Sequence, residues 1–122
     1  MRNMAFSLTT AQVSAGIKTV TRRTGWANLK PGTLFCAIVK GMGLKKGEKV
    51  QRLAILRCVA NKPERLCALV SDAKYGKEEA RKEGFPEMSG ARFVSFFVSS
   101  HPGTDAHTRV NRIEFEYVRF LP

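Results

Sequence analysis

Between Val110 and Leu121 the chain alternates without a break: Ile113, Phe115 and Tyr117 fall on one face, Arg112, Glu114 and Glu116 on the other. A period of two marks a strand with one face on a core and one in water. Such a strand needs a sheet around it, and at the C-terminus it suits the closing of a small barrel. The other strand signals are shorter. Leu34 to Val39 (LFCAIV), bounded by Gly32 and Gly41, reads as a buried strand. Val50 to Ala60 reads as a second long one, with Leu53, Ile55 and Leu56 inward, and Pro31-Gly32 and Asn61-Lys62-Pro63 read as turns.

Helical signals fill the gaps. Thr9 is placed as an N-cap, Gln12 completes a capping box, and Leu8 and Val13 occupy the staple positions. The short helix runs from Thr10 to Ala15, and Gly16 stops it. Ser71 or Asp72 caps a brief helical turn ending near Gly76, and Lys77 to Glu83 reads as a short exposed helix stopped by Gly84. Ser89 caps a further helix, in which Phe93, Phe96 and Phe97 share one face and read as core packing rather than a base-stacking box. The sum is a single α+β domain over residues 1–122, a five- or six-stranded, mostly antiparallel barrel with about three short helices.

Charge narrows the partners. The formal net charge is +11. Residues 1–71 hold thirteen Lys and Arg against Glu48 and Glu64, whereas residues 72–122 hold eight basic and eight acidic side chains, so the whole excess lies in the front half. That asymmetry points to a polyanion partner such as nucleic acid. Lys45 and Lys46, among Gly41, Gly43 and Gly47, form a basic tip that suits a phosphate clamp as well as an ordinary hairpin loop. Trp26 suits base stacking or the covering of one barrel end. Cys36, Cys58 and Cys67 are odd in number and lack CxxC spacing, and His101 and His107 fit no zinc pattern, so neither disulfide nor metal is expected. No apolar run approaches the roughly 20 residues of a membrane helix, and Met4 to Leu8 is too short for a signal peptide. A cytoplasmic monomer is the expectation.

Gly16 to Arg23 (GIKTVTRR) is a corner between helix and strand, and its Lys18, Thr19, Thr21, Arg22 and Arg23 are too polar for a core. Corners of this kind carry function more often than packing. Lys18 and Thr21 would point to opposite faces of a straight strand. Past a helix broken at Gly16, both reach one cleft only if the backbone bends between them. A solvated basic edge is the competing reading.

This stretch resembles the signature of the ASCH domain, a PUA-like small β-barrel, which runs Gly-x-Lys-x-x-Glu-x-Arg. Gly16, Lys18 and Arg23 match it, and Thr21 stands where many members carry glutamate. The small bacterial 4-acetylcytidine amidohydrolases have Gly-x-Lys-Thr-x-Thr-x-Arg, which Gly16, Lys18, Thr19, Thr21 and Arg23 fit in full. The first helix, the Pro31-Gly32 turn, the Glu83-Gly84-Phe85 triplet and the closing strand also look like ASCH features; the basic tip and the His101–His107 loop have no counterpart. The resemblance implies catalysis by Lys18, Thr21 and a glutamate whose position looks like Glu83, with Glu79 and Glu87 as rivals. It implies no cofactor and a nucleoside or RNA partner, for which Thr19, Arg22, Arg23, Trp26, Lys45 and Lys46 are the candidate contacts.

Such a set makes chemical sense. Amide hydrolysis needs an activated nucleophile, a proton for the leaving amine and a stabilised oxyanion. Lysine can serve as the base if burial and a neighbouring arginine depress its pKa. A Lys18–Glu83 salt bridge joining two loops is the structural reading of the same residues. The function classes are therefore an amidohydrolase acting on an acylated nucleoside and a non-catalytic RNA-binding module, with RNA cleavage as a lesser variant.

Overall fold

In the computed structural model, which describes residues 1–122, the chain runs β1 (Arg2–Ala5), α1 (Thr10–Ser14), β2 (Val20–Arg23), β3 (Leu34–Ile38), β4 (Arg52–Arg65), α2 (Ala68–Ser71), α3 (Ala73–Lys82), α4 (Gly90–Ser100) and β5 (Arg109–Phe120). The strands make one five-stranded sheet in the order β1-β3-β4-β5-β2, curled into a partial barrel. All pairings are antiparallel except β1 with β3. The alternation of β5 holds: Ile113 and Phe115 are buried and Tyr117 is half-buried.

The barrel core gathers Met4, Phe6, Phe35, Leu56, Ile113 and Phe115. The rings of Phe6 and Phe35 each meet Phe115 edge-on, with centroids 5.9 and 6.3 Å away. Burying one such side chain is worth about 1.5–3 kcal/mol. A second core, with Leu66, Leu69, Phe93, Phe97 and Val110, lies among the helices. Cys36 and Cys58 are buried thiols, and burial pushes both pKa values up.

Four expectations are corrected. Asn61-Lys62-Pro63 is not a turn, because β4 continues through it to Arg65. β3 pairs with β4 only up to Arg57, so Pro63 faces β5 alone and its missing N–H deprives no second neighbour. Gly76 does not end a helix. A Cβ there would lie 1.9 Å from the Leu69 oxygen and 2.9 Å from Gly90 Cα, so Gly76 and Gly90 permit a close crossing of α3 and α4. α3 therefore runs unbroken from Ala73 to Lys82, and it buries Glu79 and Ala80 instead of lying fully exposed. With the one-turn α2 the helices number four. Finally, Thr9 makes no side-chain cap bond to α1, and Leu8 is exposed rather than stapled to Val13. β1 carries too few residues for a legible period, and its pairing with β3 is the one parallel element.

Candidate active site

The corner is built by backbone hydrogen bonds before any side chain acts. Gly16 takes φ 72°, which glycine adopts without strain, and turns the chain out of α1. Ile17 N and Lys18 N then both donate to Gln12 O, at 3.0 and 3.3 Å. Thr19 N donates to Lys82 O at 2.8 Å, which ties the corner to the end of α3, and Tyr117 OH donates to Lys18 O at 2.6 Å. On the facing side Gly84, at φ 104°, ends α3. A Cβ there would meet Gln12 Cγ at 2.7 Å, so glycine is required by conformation and by close approach. Two glycine turns thus bring residue 18 to residue 83.

Lys18 Nζ donates to both the backbone oxygen and Oε1 of Glu83, each at 2.7 Å. Both side chains are 3% exposed. Glu83 Oε2 accepts from Arg22 Nη1 at 3.0 Å. Behind this pair the network continues inward. Arg22 Nη2 donates to Glu79 Oε1 at 2.6 Å and Nε to Glu64 Oε1 at 2.9 Å, while Arg112 grips Glu79 and Tyr75 OH donates to Glu64. No buried side-chain polar atom lacks a partner. A buried charge cluster persists only when its members pair in this way.

The network sets the protonation. Burial lowers the Lys18 pKa; Glu83 opposes that, and Arg23 and Arg22 add to it. Burial also brings Arg23 down to about 10. Burial works to raise the Glu79 pKa, but hydrogen bonds from Arg112 and Arg22 outweigh it and hold the carboxyl at about 2. Burial and the bond to Glu64 push Tyr75 up to about 12.

Lys18, Thr21, Arg22, Arg23 and Glu83 line one cavity of about 110 Å³. Thr21 Oγ1 accepts from Arg23 Nε at 3.0 Å, so its own hydroxyl proton remains free to be donated. No hydrogen bond joins Thr21 to Lys18. The opposite wall is apolar, with Phe6, Phe85, Phe93, Phe96 and Phe97. Phe93 and Phe97 therefore serve both core and cavity. Thr9, whose hydroxyl is not engaged in capping, His101, Ala5, Ser7 and Leu8 complete the lining.

The remaining candidates lie elsewhere. Arg22 lines the cavity, and each of its three nitrogens donates to a carboxylate, so it supports the site from within the buried network. Glu79 is buried behind the site, and Glu87 is exposed outside it. Thr19 is held by its backbone and does not line the cavity. Trp26 lies under the Arg2 guanidinium at 3.8 Å and tilts against Phe35 on the barrel core. Lys45 and Lys46 are exposed in the β3–β4 connection, away from the cavity. No His, Cys, Asp and Glu cluster is placed to hold a metal ion, and no helix is long and apolar enough to cross a membrane.

Sequence reasoning missed Glu64, Thr9, Phe85 and His101 as parts of this region. For Glu64 a signal existed: an arginine inside a barrel corner demands more carboxylate than Glu83 alone supplies. Nothing local in the sequence points His101 toward Lys18.

No protein-family model matches the chain, and no curated protein matches it. Among solved structures it is similar in fold to the protein EF3133 from Enterococcus faecalis V583, described as family-model DUF984. The two share 15% identity at a TM-score of 0.58, over 98% of this chain and 81% of that one. That likeness speaks to the fold.

Proposed function

We propose that the chain is an ASCH-like amidohydrolase that removes the acyl group from the exocyclic amine of a modified nucleoside such as 4-acetylcytidine. The observation that carries the reading is Lys18: a buried amine with a depressed pKa, fixed by Glu83 in the cavity that Thr21 also lines. In its neutral form Lys18 takes the Thr21 hydroxyl proton as Oγ1 attacks the acyl carbon. The C–N bond then breaks, and the proton passes from Lys18 to the departing amine. Glu83 orients the water that releases the acyl group from Thr21 and shuttles its proton. Arg23, cationic at neutral pH and already bonded to Thr21, supplies the positive charge for the developing oxyanion in this reading.

Size and lining support the same substrate class. The cavity is smaller than the roughly 300 Å³ of pockets that enclose a whole drug-sized ligand. It therefore takes the acylated edge of a base against the phenylalanine wall and leaves the sugar outside.

Incubation with 4-acetylcytidine, following free cytidine, tests the reading. Lys18→Ala, Thr21→Ala and Glu83→Ala should each lower turnover by about 10²–10⁴, with the triple variant little worse than the worst single one. Full activity in Thr21→Ala would rule out the nucleophile role. The second reading, a non-catalytic RNA-binding module, draws on the exposed Lys45, Lys46 and Lys49 of the β3–β4 connection. Wild-type protein that binds RNA without turning over acylated cytidine would favour it.

A further inference from the structure

His101 closes the C-terminal end of α4 and lines the cavity. Its ring stacks on Phe97, with centroids 3.9 Å apart and planes within 6°. Nδ1 lies 2.8 Å from the Phe97 backbone oxygen and 3.3 Å from Ser100 Oγ. A carbonyl oxygen can only accept, and the Ser100 hydroxyl proton goes to Phe96 O at 2.7 Å. Both neighbours therefore require Nδ1 to carry the proton, and in the neutral ring the lone pair sits on Nε2. Nε2 has no partner in the protein. Since no buried side-chain polar atom is left unpaired, Nε2 is open to solvent.

The polar groups at the Lys18 end of the cavity are mostly of the opposite kind. Lys18 and Arg23 are donors, Thr21 has a free proton, and both Glu83 oxygens already accept from Lys18 and Arg22. A secondary amide offers one carbonyl acceptor and one N–H donor. Its carbonyl fits the Lys18–Thr21–Arg23 side, and its N–H finds an acceptor in His101 Nε2, which neither carries a proton nor accepts a bond within the protein; the Ser7 and Thr9 hydroxyls also line the cavity.

We propose that His101 is the specificity-determining residue of this site, its Nε2 accepting a hydrogen bond from the N–H of the scissile amide. The inference rests on the amidohydrolase reading and narrows it to amines that carry a single acyl group. His101 acts on binding: it holds the amide plane against Phe97 and leaves the proton transfers to Lys18 and Glu83.

The test compares wild type, His101→Phe, which keeps the stacking but loses the acceptor, and His101→Gln, which restores an acceptor near the Nε2 position. With 4-acetylcytidine, His101→Phe should lose about fivefold in kcat/KM, the worth of one neutral hydrogen bond, and the loss should sit in KM. His101→Gln should recover most of it. Replacing the amide N–H by N-methyl should cost wild type more than it costs His101→Phe. NMR of isotope-labelled histidine should show an unprotonated Nε2 whose resonance moves on adding 4-acetylcytidine. Turnover that is equal in wild type and His101→Phe overturns this inference and leaves the amidohydrolase reading standing. Absent turnover with a moving Nε2 resonance removes the catalytic reading and supports the subsite. Absent turnover with a still resonance overturns both.

Discussion

Lys18 and Glu83, 65 residues apart in the chain, are joined twice, since Nζ donates to both the backbone oxygen and Oε1 of Glu83 at 2.7 Å. The backbone bond does not depend on the carboxyl's charge, so it can hold the amine without the ion pair. Glu83→Gln should therefore hold Lys18 in position, whereas Lys18→Met leaves Glu83 inside the protein with Arg22 as its remaining partner. Breaking one side of a buried pair costs about 3–5 kcal/mol, more than replacing the whole pair. Urea unfolding should show the Lys18→Met/Glu83→Gln double variant less destabilised than the two single losses added together.

Glu79 makes an acid-sensitive support. Its carboxyl sits at about 2 when folded, against an ordinary value of 4.5, despite burial and because Arg112 and Arg22 hold the anion. A depressed folded pKa means that the unfolded chain binds the proton more readily. The contribution, about 3 kcal/mol, is thus full above pH 4.5 and lost as pH falls toward 2. Thermal melts across that window should lose this component in Glu79→Gln, which should also be less stable at neutral pH.

The bent corner was legible as a geometric condition: Lys18 and Thr21 can share a cleft only if the chain turns between them, and the structure places both on one cavity. The alternation of β5 was legible because one face packs and the other is wet. What was illegible depended on partners distant in sequence. Gly76 looks like a helix stop until Gly90 and the Leu69 oxygen occupy the space its side chain would need. Thr9 has the composition of a cap, yet the backbone at that residue (φ −134°, ψ 30°) lies outside the usual N-cap region, and its side chain makes no cap bond. Nor did the sequence place Arg22 in a buried network, where Glu64, Glu79 and Glu83 hold its guanidinium from three positions far along the chain.

Gly84 offers a test of how firmly Glu83 is placed. Alanine at φ 104° costs about 1–3 kcal/mol from the backbone alone. The added Cβ also meets Gln12 Cγ at 2.7 Å, and Gln12 O is the acceptor that holds Lys18 N. Gly84→Ala should therefore lower both stability and turnover. Adding Gln12→Ala removes the Cγ clash but neither the 2.9 Å approach to Gln12 Cβ nor the backbone strain, so it should restore only part of the stability, and chemical denaturation would show how much.

The basic tip separates the two function classes. Lys45 and Lys46 are exposed and lie outside the cavity, and Lys45 N is engaged only with the neighbouring Glu48 carboxylate. A free nucleoside carries no phosphate for them to meet. Lys45→Ala/Lys46→Ala should consequently leave 4-acetylcytidine turnover unchanged within about twofold, since exposed substitutions away from a site shift energies by under ~0.5 kcal/mol. An RNA substrate or ligand would behave otherwise. Each lysine–phosphate contact on a single strand adds about −0.7 to the slope of log affinity against log salt. If both lysines engage phosphate, the double variant should bind more weakly across sequences, with a slope shallower by about 1.4. An unchanged slope alongside intact nucleoside turnover would place the +11 charge outside the function of this site.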